Sequence, residues 1–312
     1  MQTRQLGTNG ANVPVICLGT WPLGGGFGKI DYDNGIKTIK TSIDAGITFI
    51  DTAEGYNNGE QLVGDGISGQ RDKVFLATKL SGADHSKQHM VTALETSLKL
   101  LGTDYIDLYQ LHSPQAKWPI EETMGSLIEL KNQGKIKYIG ISNYNDQQTN
   151  EALSYGPIHS SQPRYNILFR ETEISTIPFC LDNGIGVIAH SVLAKGLLSG
   201  KYNIGSQFAE DDERRKVYGN MTGGQFERIF GFIDKLSNWA SDNGRDLLQL
   251  AIAWVNAQPG ITSSIIGAKT SEQVLHSAKA GDWNLSQTDL QEIEKLQGDL
   301  RLDFQQLRED ED

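Results

Sequence analysis

Eight short apolar runs recur along the chain, at Val15–Leu18, Thr48–Ile50, Val74–Thr78, Ile106–Leu111, Ile136–Ile141, Ile158–Ser161, Val187–Ala189 and Ser264–Ile266. They do not alternate apolar with polar residues, so both faces of each run are fit for burial, as in parallel strands covered on two sides. Between them lie stretches of helical periodicity such as Tyr32–Ala45, Lys87–Leu101, Ile120–Asn132 and Ser271–Lys279. Alternating strand and helix leaves two architectures, an open doubly wound sheet or a closed barrel. Eight repeats at roughly 30-residue spacing favour an α/β fold of the (β/α)8 TIM-barrel type. Glycines at Ala45-Gly46, Leu101-Gly102, Gln133-Gly134 and Asn183-Gly184 mark helix ends, where a left-handed cap suits a residue without Cβ.

Two segments break the period. Arg4–Val13, centred on Thr8-Asn9-Gly10, reads as an N-terminal β-hairpin that caps the bottom of the barrel. Between strands seven and eight, an extended loop at Tyr202–Gly224 is followed by helical stretches Gln225–Ser241 and Asp246–Ala257. This is read as an insertion, so residues 1–312 form one domain, with residues 302–312 a flexible acidic tail that ends in the solvated Arg308–Asp312.

A formal net charge of −11 opposes a nucleic-acid partner, because phosphate contacts need clustered Lys and Arg. No stretch approaches the roughly 20 apolar residues of a membrane helix, and Met1–Gly7 lacks the apolar core of an export signal. Cys17 and Cys180 lie in apolar surroundings and read as buried free thiols, which suits a reducing, cytoplasmic location.

In a parallel barrel the active site is assembled at the C-terminal strand ends. Those ends carry Asp51, Lys79, His112, Ser142-Asn143, Gln162, His190-Ser191 and Gly267-Ala268-Lys269, with Tyr56 five residues beyond Asp51. A carboxylate, an amine, an imidazole and a phenol on one face are the parts of a proton-transfer site. Lys79, braced by Asp51, is expected to lower the pKa of Tyr56, while His112 orients a carbonyl oxygen beside the phenol. A buried Asp51–Lys79 ion pair with no catalytic role explains two of these residues and leaves the other two without a purpose.

The segments Asp51-Thr52-Ala53-Glu54-Gly55-Tyr56, Ala77-Thr78-Lys79 and Tyr109-Gln110-Leu111-His112 resemble the tetrad segments of the aldo-keto reductases. Gly140–Asn143, Gln162, Ser191–Lys201 and Gly267–Val274 match further, and the likeness runs from about Arg4 to Leu296. The resemblance implies NADPH-dependent reduction of aldehydes or ketones, with Tyr56 as general acid, Lys79 and Asp51 as its tuners and His112 as the orienting group. It implies that Gly19, Thr20, Trp21 and Asp51 border the cofactor, and that Ser142, Asn143 and Gln162 hold the nicotinamide carboxamide. His190 takes the stacking position at which many members have Tyr or Trp. Ser191, Leu193, Lys195, Gly196, Leu198, Gly200 and Lys201 would wrap the pyrophosphate. Gly267 would border the cofactor and Lys269, Thr270 and Ser271 would meet the adenosine 2′-phosphate, with Gln273 near the adenine and Ser277 in place of a usual Asn. A cation at Lys269 favours NADP(H) over NAD(H).

The glycine run Gly24–Gly28 is not a phosphate loop, since Leu23 stands in the place of the first glycine and Ile30 follows Lys29. His85 and His89 lack the Glu and third ligand of a zinc site, so no metal is expected. The substrate is read as a small carbonyl compound in a pocket of Trp21, Tyr56, His112, Trp118 and Tyr144, the aromatics following strand ends. Two alternatives stay open: an NADPH-binding sensor of the same fold that turns over slowly or not at all, and a (β/α)8 enzyme of unrelated chemistry.

Overall fold

A computed structural model describes residues 1–298. The acidic tail at residues 302–312 therefore lies outside the described residues. Strands β1 (Thr3–Gln5) and β2 (Asn12–Pro14) pair antiparallel, with Arg4 opposite Val13. The barrel follows: β3 (Ile16–Gly19), α1 (Tyr32–Asp44), β4 (Phe49–Asp51), α2 (Gly59–Ile67), β5 (Phe75–Leu80), α3 (Lys87–Leu101), β6 (Ile106–Leu111), α4 (Ile120–Asn132), β7 (Ile136–Ser142), α5 (Asp146–Tyr155), β8 (Ser160–Gln162), α6 (Thr176–Asp182) and β9 (Gly186–Ala189). The insertion holds α7 (Arg214–Tyr218) and α8 (Gly224–Asp242). Then come α9 (Leu247–Ala257), β10 (Ile261–Gly267), α10 (Ser271–Ala278) and α11 (Gln287–Gln297). Strands β3 to β10 form a closed parallel barrel, in which β10 pairs with both β9 and β3.

The helices begin where side chains can satisfy their orphan N–H groups. Asp31, Ser86, Asn145 and Asp246 each accept a backbone N–H three residues on. Helix α3 ends at Gly102, whose φ of 63° is the left-handed cap expected from the sequence. The outer core is formed by apolar helix faces against the strands, including Ile39, Leu62, Leu94, Leu127 and Trp254.

The barrel interior is a separate cluster. Leu6 and Val13 of the hairpin pack with Cys17, Phe49, Ala77, Leu108 and Ile188, all fully buried. The hairpin thus closes the lower end of the barrel with two apolar side chains. Cys17 and Cys180 are both free and buried. Strand side chains alternate between faces, so the next inward positions above this layer are Gly19, Asp51, Lys79, Gln110 and His190, and the core gives way to polar groups in one step along the barrel axis. Strand β8 pairs at Ser160–Gln162, starting two residues later and ending one later than the expected run, because Gln162 enters this upper layer while Ile158 packs with the outer core.

Candidate active site

Asp51 ends β4 and Lys79 lies near the end of β5, so their side chains meet inside the barrel. Lys79 Nζ donates to Asp51 Oδ1 at 2.5 Å and to the Thr52 carbonyl at 2.9 Å, and lies 3.3 Å from Tyr56 Oη. Asp51 Oδ2 accepts from Gln110 Nε2 at 2.9 Å and from Gln162 Nε2 at 3.0 Å. A buried carboxylate with three charged or amide donors is well satisfied. Gly140 makes room for this network, since a Cβ there would stand 2.8 Å from the Gln110 side chain and 2.4 Å from Ser160 Oγ.

Burial opposes the Lys79 charge, but the Asp51 carboxylate and the Tyr56 hydroxyl outweigh it and hold the ammonium above its ordinary range. For Tyr56 the expected lowering is not the net result. Burial raises its pKa, Lys79 pulls it down, and Asp51 and Glu213 add to the rise, so the phenol sits above its usual value. Lys79 and Asp51 are the charges the sequence points to; Glu213 and the desolvation of the ring are not legible there.

His112 faces Tyr56 with ring centroids 5.7 Å apart, and its Nδ1 lies 2.8 Å from Ser81 Oγ. Burial and then Lys79 lower its pKa to about 4, which makes the imidazole neutral at physiological pH. His190 is held similarly, with Nδ1 3.0 Å from Ser191 Oγ and Nε2 3.3 Å from Asn143 Oδ1. Burial and Arg164 lower its pKa to about 3. Ser142 Oγ donates to the Gln162 carbonyl, and Asn143 Nδ2 donates to the carbonyl of His112.

These groups border a cleft of about 1070 Å³ across the top of the barrel. Of the residues singled out from sequence, Gly19, Thr20, Trp21, Asp51, Tyr56, His112, Ser142, Asn143, Gln162, His190, Ser191, Leu193, Lys195, Gly196, Gly200, Lys201, Gly267, Lys269, Thr270, Gln273 and Ser277 line it. Lys79 lies beneath the lining, with no exposed surface. Leu198 is buried, and Ser271 faces Thr41, whose Oγ1 donates to it at 2.8 Å. Neither borders the cleft. Trp118 and Tyr144 are not brought to it either: Trp118 Nε1 donates to the Ala83 carbonyl, and Tyr144 is buried in the core. Of the expected pocket aromatics, Trp21 is at the site, its ring edge-on to Tyr56 at 4.9 Å.

The insertion contributes Asp212 and Glu213, which the sequence did not point to, beside Arg214, whose charge could be read either as part of a positive rim with Lys201, Arg215, Lys216 and Lys269 or as a solvated loop face. Glu213 Oε1 accepts from Trp21 Nε1 at 3.0 Å, and Asp212 forms a β-bridge with Phe27. Lys269 Nζ donates to the Phe27 carbonyl, while Arg214 pairs with Asp212 and stacks over the Phe27 ring. The loop after β3 and the insertion therefore meet across the cleft. At its far end His276 Nε2 lies 2.5 Å from Asp246 Oδ2, and both residues line the wall. Past β9, Ser191, Ala194 and Lys195 have φ of 56°, 45° and 48°. Left-handed backbone at non-glycine residues costs about 1–3 kcal/mol each and gathers at functional sites.

The sequence model of the Aldo/keto reductase family matches residues 15–297, and the chain belongs to that family. It is 35% identical to the aldo-keto reductase YhdN of Bacillus subtilis (strain 168), covering 95% of this chain and 93% of that protein. It is 34% identical to the NADH-specific methylglyoxal reductase of Escherichia coli (strain K12), over 93% of this chain and 96% of the relative. A probable voltage-gated potassium channel subunit beta of Arabidopsis thaliana is 32% identical, over 90% and 92%. Among solved structures, a glycerol dehydrogenase from Gluconobacter oxydans superposes with a TM-score of 0.86 at 29% identity, covering 95% of this chain and 94% of that one.

Proposed function

We propose that the chain, acting as one domain, reduces small aldehydes or ketones to alcohols with NADPH. The observation that carries this reading is the position of Lys79 Nζ, 2.5 Å from Asp51 Oδ1 and 3.3 Å from Tyr56 Oη under a cleft that His112 also borders. Lys79 and Asp51 would be an idle ion pair without an acid to act on, and the phenol is that acid.

The cleft fits a dinucleotide in its donor set. Ser142, Asn143 and Gln162 offer hydroxyl and amide groups to a carboxamide, Ser191, Lys195 and Gly196 line the cleft on left-handed backbone where a pyrophosphate would run, and Lys201 and Lys269 supply cations beyond. His190 presents a neutral ring at the stacking position. Reduced nicotinamide, when bound, supplies the hydride. Tyr56 gives its hydroxyl proton to the carbonyl oxygen. Burial keeps the phenol protonated until that moment, and the Lys79 ammonium stabilises the phenolate left behind. With the Ser81 hydroxyl donating to Nδ1, His112 carries its proton on Nε2 and can donate to the same oxygen without adding charge.

Lys269 supports NADPH over NADH, a choice that matters because one relative is named NADH-specific. The likeness to a channel subunit favours a second reading, an NADPH-binding regulatory protein with slow turnover. The free buried thiols support a cytoplasmic location; among the described residues no helix is long and apolar enough to cross a membrane. The test is titration with NADPH by tryptophan fluorescence, followed by addition of methylglyoxal or an aromatic aldehyde while nicotinamide absorbance is recorded. Multiple turnovers support the reductase, a single slow turnover supports the regulatory reading, and failure to bind NADPH overturns both.

A further inference from the structure

A second cavity, of about 450 Å³, lies at the opposite end of the barrel, between the N-terminal hairpin and the segments that flank the start of β10. Its walls include Gln2, Arg4, Asn256, Gln258, Trp283 and Asn284. It is remote from the reaction. Strand β10 runs from Ile261 at this cavity to Gly267 at the upper cleft, which is roughly 20 Å at the usual strand rise.

Two groups in this wall are chemically incomplete. Arg4 is half-buried, and its Nη1 donates to the Ile261 carbonyl at 2.6 Å. Among the described residues its side chain makes no other hydrogen bond and no ion pair. Burial lowers its pKa, and no carboxylate offsets that effect. A guanidinium has five donors, so most of its capacity is unspent. Asn256 is 7% exposed: its Oδ1 accepts from Ser264 Oγ at 2.7 Å, whereas Nδ2 is buried with no partner. The Asn256 amide is sealed from the cavity, so Arg4 is the group a ligand can meet, and a partly desolvated cation is costly unless an acceptor meets it.

We propose that this lower cavity binds a small hydroxylated monocarboxylate. One cation matches one carboxylate, which the Arg4 fork receives. Gln2 Nε2 already donates to Asn284 Oδ1 at 2.9 Å and Gln258 Nε2 to the Trp254 carbonyl at 3.0 Å, and the amide groups that Gln2, Gln258 and Asn284 keep unspent match hydroxyl groups, with the half-buried Trp283 ring in the wall beside them. A neutral polyol of the same shape lacks the group that Arg4 needs and binds more weakly.

The experiment is ligand-observed NMR titration of the full chain with D-gluconate, with sorbitol as the neutral counterpart, at millimolar concentrations. Saturable gluconate binding is expected, with sorbitol weaker by about tenfold or more. Arg4→Gln removes the cation. Gln2→Glu leaves the hairpin backbone intact and sets a competing carboxylate at the cavity, so it decides the matter should Arg4→Gln fail to fold. Both are expected to weaken gluconate by about tenfold or more, and Gln2→Glu leaves carbonyl reduction unchanged. Absence of gluconate binding, equal binding of sorbitol, or binding indifferent to Gln2→Glu each overturns the proposal, and none of these outcomes bears on the reductase reading.

Discussion

Ser81 Oγ stands 2.8 Å from Nδ1 of His112, and the Ser81 backbone N–H donates to Glu54 Oε1, so the loop after β5 fixes the imidazole from behind. If His112 orients the carbonyl, Ser81 is a positioning residue. Ser81→Ala is expected to lower kcat/KM about 2- to 10-fold, the net value of one hydrogen bond, with NADPH affinity unchanged. Ser81→Thr, which keeps the hydroxyl, should recover the loss. Equal activity of Ser81→Ala and wild type would remove Ser81 from the mechanism.

Tyr56→Phe deletes the proposed proton donor and leaves the cleft wall in place. Steady-state kinetics should show kcat for aldehyde reduction reduced by about 10²- to 10⁴-fold, with the NADPH dissociation constant little changed. Because the acid must be protonated and its pKa is raised, wild-type kcat should stay flat through neutral pH and fall only at alkaline pH. A decline with rising pH near neutrality would contradict this environment for the phenol.

Lys269→Glu is expected to weaken NADPH by about tenfold or more while affecting NADH far less, read as the ratio of the two dissociation constants. The same change breaks the link from Lys269 to the Phe27 carbonyl. An equal loss for both cofactors would mean that the residue serves the loop contact alone.

Neutral, half-buried histidines make the fold sensitive to acid. His112 and His190 have folded pKa values of about 4 and about 3, below an ordinary value of about 6.5. The unfolded chain binds protons as pH drops below about 6.5 while the folded chain does not, so their contribution is complete above that pH and is lost as pH falls toward the folded values. Scanning calorimetry from pH 7 to pH 4 should show a falling Tm, with a shallower slope in His190→Asn. Parallel curves would show that His190 is not held neutral.

Trp118 and Tyr144 lie away from the upper cleft. Trp118→Phe should therefore leave KM across an aldehyde panel unchanged, whereas Trp21→Phe, which removes the Glu213 contact, should shift it. The reverse result would relocate the substrate pocket.

The alternation of side chains along a strand made much of the site legible. Phe49 and Asp51, Ala77 and Lys79, Leu108 and Gln110 are inward pairs two residues apart, so apolar runs with polar ends imply a polar floor above an apolar core. Gln110 could have been found by that parity, as it lies two residues before His112. The rule stops where the strand stops. Asn143 has φ of 60°, and the turn it makes carries Tyr144 into the core instead of the cleft. The partners of the insertion were beyond reading, because Trp21 and Glu213 are 192 residues apart and belong to no common repeat. The phenol's raised pKa was hidden for another reason: neighbouring charges can be counted in a sequence, but loss of water around a ring depends on the finished packing.

Closure of the barrel joins residues 16–19 to residues 264–267 by parallel pairing. During synthesis the exposed edge of β3 must wait for nearly 250 residues of nascent chain before its last neighbour leaves the ribosome. An unpaired edge is a template for association with other chains. Factors that shield emerging polypeptides should therefore matter more to the yield of this protein than the stability of its finished core.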